Sequence, residues 1–145
     1  MEERKFDERS LKNLEGVHPD SVKVLTEAIK DSPIPFIVIF GVRTVAEQQA
    51  LYAQGRTVAG LKVTNCDGVN VKSEHQVKDD GYGYATDLYA DANSNGKLDA
   101  PELNDVASLI CVASHIKAKS KTLGIAIEWG GDWKMKDYPH FQLKK

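Results

Sequence analysis

The chain has 145 residues, 41% apolar and 28% charged, with a formal net charge of −2. That length suits one compact domain with a single core, and the composition excludes a disordered or fibrous protein. Lysines and arginines alternate with acids along the chain, which argues against a nucleic-acid partner, and no run approaches the roughly 18 apolar residues that cross a membrane.

The opening Met1-Glu2-Glu3-Arg4-Lys5 lacks the apolar stretch of a secretion signal, so a soluble product made in the cytoplasm without a signal peptide is expected. From Pro19 to Lys30 the apolar Val22, Leu25, Ala28 and Ile29 fall at helical spacing, with Pro19 suited to a first turn. After Ser32-Pro33-Ile34-Pro35, the run Phe36 to Phe40 is β-branched and aromatic and reads as a buried strand. Thr44 and Glu47 have the form of a capping box, opening a helix that carries Ala46, Ala50 and Ala53 and stops at Gly55. Arg56 to Gly83 is polar and glycine-rich, a long irregular excursion inside one domain. Tyr84 to Ala90 returns to strand composition, and Pro101 to Leu123 reads as the longest helix through Leu103, Val106, Ala107, Ile110, Ala113 and Ile116. Ile125 to Trp129 and Phe141 to Leu143 are two further short strands, separated by the turn-rich segment Gly130 to Pro139. The two cysteines, Cys66 and Cys111, have neither knuckle nor redox spacing and read as free thiols.

One motif stands on its residues alone. Asp91 to Glu102 matches the twelve-residue EF-hand calcium loop: Asp91, Asn93, Asn95 and Asp99 supply oxygens, Lys97 a carbonyl, Glu102 a bidentate carboxylate, and Gly96 the sharp turn. An Asn- and Gly-rich turn that binds nothing is the plainer alternative. The preceding segment reads as a strand, so the loop looks grafted onto another fold rather than flanked by two helices.

A second metal is suggested by Ser73-Glu74-His75 and Asp137-Tyr138-Pro139-His140. A catalytic zinc takes three protein ligands from histidine and carboxylate and keeps one position for water, and two histidines with one aspartate meet that need. On spacing alone, dispersed His and Asp residues are more often surface hydrogen-bonding groups. His18 and His115 have no motif around them.

The segments Gly41-Val42-Arg43-Thr44, Val63-Thr64-Asn65, Ser73-x-His75, Gly83-x-Ala85-x-Asp87, Trp129-Gly130-Gly131-Asp132-Trp133 and Asp137-x-Pro139-His140-Phe141 occur in a characteristic order. Together they make the chain resemble the L-alanyl-D-glutamate peptidases among phage endolysins, relatives of the zinc D-Ala-D-Ala carboxypeptidases and vancomycin-resistance dipeptidases. The resemblance covers residues 10 to 143. It implies zinc ligands His75, Asp87 and His140, Asp137 as general base, and Arg43 as a substrate-binding or oxyanion-stabilising cation. Ser73 is then expected to orient substrate or a ligand, and Trp129 with Trp133 to wall the cleft or pack in the core. Glu128 is the runner-up base, with a structural role favoured for it, and Gln48 and Gln49 are indistinguishable from solvent-facing residues. His75 precedes Asp87 by twelve residues, more than the family spacing, which implies an insertion of about five residues near Val77 to Tyr82 that a loop absorbs cheaply. Asp79 or Asp80 is an alternative ligand there.

The expected fold is α+β: a single domain over 1–145, with a short antiparallel sheet packed on helices, a zinc site in a surface cleft and the inserted calcium loop at 91–102. The expected activity is hydrolysis of the L-Ala-D-Glu bond of the peptidoglycan stem peptide, by a monomer using Zn2+ and regulated or stabilised by Ca2+. It would act from the cytoplasm of an infected bacterium, reaching the wall through a holin. A D-Ala-D-Ala carboxypeptidase on the same fold, and a calcium-binding module with a vestigial zinc site, are the competing readings.

Overall fold

A computed structural model describes residues 4–96 and 105–144. The elements in chain order are α1 (Glu8–Asn13), α2 (Pro19–Asp31), β1 (Phe36–Phe40), α3 (Val45–Ala53), β2 (Ala85–Ala90), α4 (Val106–Leu123), β3 (Ile127–Trp129), a 3-10 turn at Gly130–Asp132 and β4 (His140–Leu143). The described strands form one antiparallel sheet in the order β1-β2-β4-β3.

Strand side chains alternate between faces, and here the alternation separates core from chemistry. Phe36, Val38, Leu88, Ala90, Trp129 and Phe141 join Val24, Leu25, Ala28 and Ile29 of α2 and Leu109, Val112, Ala113 and Ile116 of α4 in one apolar cluster. Asp87 and His140 therefore point to the opposite face, directly across the β2–β4 ladder from each other. A slip of one residue would carry Leu88 and Phe141 out of the core, so burial on one face holds the register on the other.

The helices begin where side chains satisfy their free N–H groups. Thr44 and Glu47 make the expected capping box at α3, with bonds of 2.9 and 3.1 Å. Asp105 accepts from Ser108 N (3.0 Å) at the start of α4, and Gly124 ends it in the left-handed region at φ 71°. The helix expected from Pro101 is seen from Val106; residues 97–104 lie outside the described residues.

Two expectations about helix faces need correction. Val106 and Ile110 of α4 are exposed, and the buried face is Leu109, Val112, Ala113 and Ile116. The segment 106–113 is apolar on several sides, so spacing leaves the choice of face to the packing partner, α2. In α3, Ala46 and Ala50 are exposed, and the buried residue is Gln48. The short α1 has no apolar repeat and was not expected. It covers the outer edge of β1: Val38 N donates to Ser10 Oγ (3.0 Å), and Asn13 Nδ2 donates to Val38 O (2.9 Å). Those bonds satisfy an edge that would otherwise be open to another strand.

Candidate metal centre

The centre is assembled from two paired strands and one loop. Asp87 of β2 and His140 of β4 are Cα partners, and Asp87 Oδ1 lies 3.4 Å from His140 Nδ1. The same oxygen lies 3.4 Å from Nε2 of His75, which arrives on the 54–84 excursion. These three residues are the group among the described residues that could hold a metal ion, their ligand atoms all lying within 4.8 Å of one another.

Hydrogen-bond arithmetic shows what the three side chains present to one another. His75 Nδ1 lies 2.9 Å from the carbonyl oxygen of Gly41, which can only accept, so Nδ1 carries the hydrogen and Nε2 presents a lone pair. His140 Nε2 lies 2.8 Å from Gln142 Oε1, which likewise leaves Nδ1 as a lone pair. Asp87 Oδ1 is buried and has no hydrogen-bond partner. Three buried acceptors pointing at one another require a positive charge among them. Ligands around a tetrahedral zinc with bonds of about 2.0–2.2 Å stand about 3.3 Å apart, close to the two separations from Asp87. The donor set and its spacing fit a zinc ion.

Without a metal ion, protons on the two histidines meet the same demand for positive charge. Burial, the largest single influence, pushes the Asp87 carboxyl up, but the imidazoles of His140 and His75 beside it, when protonated, outweigh burial and hold Asp87 well below the usual carboxylate range. Burial likewise pushes His140 down, and Asp87, Gln142 and Asp137 together reverse this and raise it. Asp137 is about half exposed, with Oδ2 3.7 Å from His140 Nδ1. Its pKa is raised, first by burial and then by the charge of Asp87, against the lowering influence of His140, His75 and Arg43.

Each group has a visible support. His75 sits on a turn in which Ser73 Oγ accepts from His75 N (3.2 Å), while Gln76 bonds Ser73 N (2.9 Å) and Gly68 O (3.0 Å). Arg43 N donates to His75 O (2.8 Å), joining that turn to the end of β1. The Arg43 side chain donates to Asp87 Oδ2 (3.3 Å) and Gln48 Oε1 (3.2 Å), and Gln48 in turn donates to Thr64 Oγ1 and Cys66 O. Arg43 is thus a fixed cation in the site, not a surface ion pair. Asp137 is seated on the 3-10 turn, its N–H donating to Gly130 O (3.0 Å) and its carbonyl accepting from His140 N (3.1 Å). A Cβ on Gly130 would stand 2.2 Å from Asp137 O, so only glycine permits this approach.

A cleft of about 690 Å3 opens over the centre, lined among others by Arg43, Lys72, Ser73, Trp133, Asp137 and His140. The expected place of Trp129 in this wall is corrected: Trp129 is 7% exposed in the core, its ring stacked on Phe141 and Nε1 donating to Tyr138 O (2.7 Å). Trp133 holds the wall position, with its ring 5.0 Å from that of His140. Glu128 accepts from Trp133 Nε1 and Gln142 Nε2, away from the reacting atoms.

The inserted residues turn away from the centre. Lys78 N bonds Tyr82 O (2.9 Å), and Asp80 accepts from Tyr84 OH (2.5 Å) and Tyr82 N (3.0 Å). Asp79 lines a separate, smaller hollow with Glu74 and Lys78. Neither acid displaces His75 as a ligand. At the head of the expected calcium loop, Asp91 is buried and accepts from Asn95 N (3.3 Å) and Gly96 N (2.9 Å). Lys97, Asp99 and Glu102 lie outside the described residues. Sequence reasoning gave no weight to Gln48 or Gln142, neutral amides without periodic signal; the one available clue was that Gln142, two residues after His140, must share its strand face.

Residues 3–144 match the family described as phage L-alanyl-D-glutamate peptidase. The chain is 34% identical over 138 residues to the peptidoglycan L-alanyl-D-glutamate endopeptidase CwlK of Bacillus subtilis (strain 168), covering 88% of this chain and 73% of that protein. It is 30% identical over 141 residues to the L-alanyl-D-glutamate peptidase of Escherichia phage T5, covering 97% and 90%. The crystal structure of the Serratia marcescens L-Ala D-Glu endopeptidase ChiX superposes with a TM-score of 0.72 at 31% identity, covering 98% of this chain and 91% of that one. With the matched residues spanning the sheet, the excursion and all three converging ligand atoms, this chain belongs to the phage L-alanyl-D-glutamate peptidase family.

Proposed function

We propose that this protein is a zinc-dependent endopeptidase that hydrolyses the L-Ala-D-Glu bond of the peptidoglycan stem peptide during lysis of a bacterial host. The observation that carries the reading is the convergence of lone pairs from His75, Asp87 and His140 on one point at the floor of a cleft, with Asp137 beside it. A zinc ion held there supplies a Lewis acid that polarises the scissile carbonyl and acidifies water.

The chain's own groups do the rest. Asp137, raised above the ordinary carboxylate value yet half open to the cleft, takes the proton of the attacking water. It returns that proton to the D-Glu nitrogen as the C–N bond breaks, leaving a new carboxylate on L-Ala. Arg43, held by Asp87 and Gln48, presents its guanidinium to the substrate carbonyl or carboxylate without having to be ordered during the reaction. Ser73 holds the turn that carries His75 and borders the cleft.

The sequence pattern Asp91, Asn93, Asn95, Lys97, Asp99 and Glu102 supports a calcium site in the same reading. Asp91 follows Asp87 on one continuous segment, so a calcium ion held there would stiffen the strand that presents a ligand. Equal activity with calcium bound and removed, at intact zinc content, contradicts activation. No described helix is long and apolar enough to cross a membrane, and passage to the wall through a holin and action as a monomer complete the proposal.

Mass spectrometry of purified peptidoglycan digested by the zinc-loaded protein tests the activity. New N-terminal D-Glu ends are expected. Release of free D-Ala would instead identify a carboxypeptidase, and the absence of products in every metal state would leave a binding module.

A further inference from the structure

The metal ligand His140 is braced by residues outside the three-ligand group, of which Gln142 and Trp133 also border the cleft. Glu128 of β3 and Gln142 of β4 are Cα partners, and Gln142 shares the face of His140. Gln142 Oε1 lies 2.8 Å from His140 Nε2, and Gln142 Nε2 donates to Glu128 Oε2 (3.3 Å). The same Glu128 oxygen accepts from Trp133 Nε1 (3.0 Å), and the Trp133 ring packs at a tilt of 47° against the His140 imidazole, centroids 5.0 Å apart.

The order of donors and acceptors along this line has only one solution. A carboxylate can only accept, so Gln142 must turn its NH2 toward Glu128, which leaves its oxygen for His140. His140 must then carry its hydrogen on Nε2, and its Nδ1 lone pair faces Asp87 and His75. We propose that Glu128, acting through Gln142, is a positioning residue that fixes the tautomer and ring orientation of His140 for metal binding, with Trp133 as the clamp that holds both Glu128 and the imidazole. It deepens the zinc reading and rests on it. Without Glu128 the Gln142 amide is free to flip and offer an N–H to His140 Nε2, which favours the tautomer whose Nδ1 is blocked by hydrogen. Groups behind a ligand histidine typically change metal affinity by about 10–100-fold.

The test compares zinc affinity, by competition with a chelating dye, for the wild-type protein, Gln142→Met, Glu128→Met and Glu128→Gln. Nitrogen-15 NMR of the zinc-loaded proteins reads the His140 Nε2 hydrogen directly. Gln142→Met and Glu128→Met should weaken zinc binding by at least about tenfold. Glu128→Gln should recover most of that loss, because its amide oxygen can still accept from Gln142 and Trp133. The wild-type spectrum should show the hydrogen on Nε2. Zinc binding by Gln142→Met as tight as wild type, or Glu128→Gln falling as far as Glu128→Met, overturns the relay while leaving the zinc site standing. A wild-type protein that binds no zinc overturns the metal reading and the relay with it.

Discussion

The two arms of the metal centre are built by different physics. Asp87 and His140 face each other across a β-ladder whose register is held by Leu88, Phe141 and the rest of the core on the far side. His75 has no such ladder. It is placed by a turn whose polar groups are tied one by one, to Gly41 O, Arg43 N, Ser73 Oγ and Gln76. Apolar burial sets position on the sheet arm, while individual hydrogen bonds set it on the loop arm, so the two should fail in different ways when perturbed.

Asp137 is a loop residue pinned to the sheet arm, which makes its chemistry separable from metal binding. Asp137→Asn should lower kcat by about 10²–10⁴-fold, the usual contribution of a general acid–base group, with zinc content unchanged. Steady-state kinetics beside metal analysis checks this. Loss of zinc in parallel would make Asp137 part of the metal site instead.

Behind the sheet arm, Leu88 is fully buried and next in sequence to Asp87. Leu88→Ala should cost about 2–5 kcal/mol of global stability, read from the urea midpoint, through lost transfer energy and the cavity left behind. Protein that remains folded should still bind zinc, because the ladder register is shared by the other core residues.

On the loop arm the effect should be local. Gln76→Ala removes the bonds to Ser73 N and Gly68 O. It should raise amide hydrogen exchange across 66–76 and weaken zinc binding by about tenfold, while sheet amides keep their protection. Equal loss of protection in the sheet would erase the distinction between the arms.

The smallest effect concerns another turn of the same excursion. Asp67 accepts from the N–H groups of Val71, Val69 and Asn70, and the first of these is the main cause of its lowered pKa. A carboxylate whose folded pKa lies below its ordinary value of 3.8 contributes stability above that value and loses it as pH falls through the folded pKa. Asp67→Asn should therefore lower the thermal midpoint slightly near neutrality and flatten its decline in acid, with wild type and variant converging at the lowest pH.

The strands of the sheet arm were largely legible in the sequence because β-branched and aromatic runs bounded by turn residues mark them. The strand composition of Tyr84 to Ala90 and the apolar run from Phe36 to Phe40 both marked strands that the structure shows. The capping box at Thr44 was equally plain. The ligand roles of His75, Asp87 and His140 all came from the family motifs, and the placement of His75 was the least legible, since a histidine on an irregular segment carries no period. The supporting amides were illegible for a related reason: Gln48 and Gln142 matter through single hydrogen bonds, and Gln49, next to Gln48, is exposed. Trp129 and Trp133, given the same two alternatives by the sequence, take one each because Trp-Gly-Gly-Asp-Trp bends at the 3-10 turn, sending Trp129 to the core and Trp133 to the cleft. The face of α4 was undecidable from spacing because the helix is apolar around much of its first half, and its partner makes the choice.

The claim that a ladder and a loop deliver three lone pairs to one zinc ion is tested most directly by locating the ion. Anomalous diffraction at the zinc edge from crystals of the zinc-loaded protein should show one strong site bound by His75 Nε2, His140 Nδ1 and an Asp87 carboxylate oxygen. A zinc ion bound elsewhere, or reached through Nε2 of His140, would contradict the account.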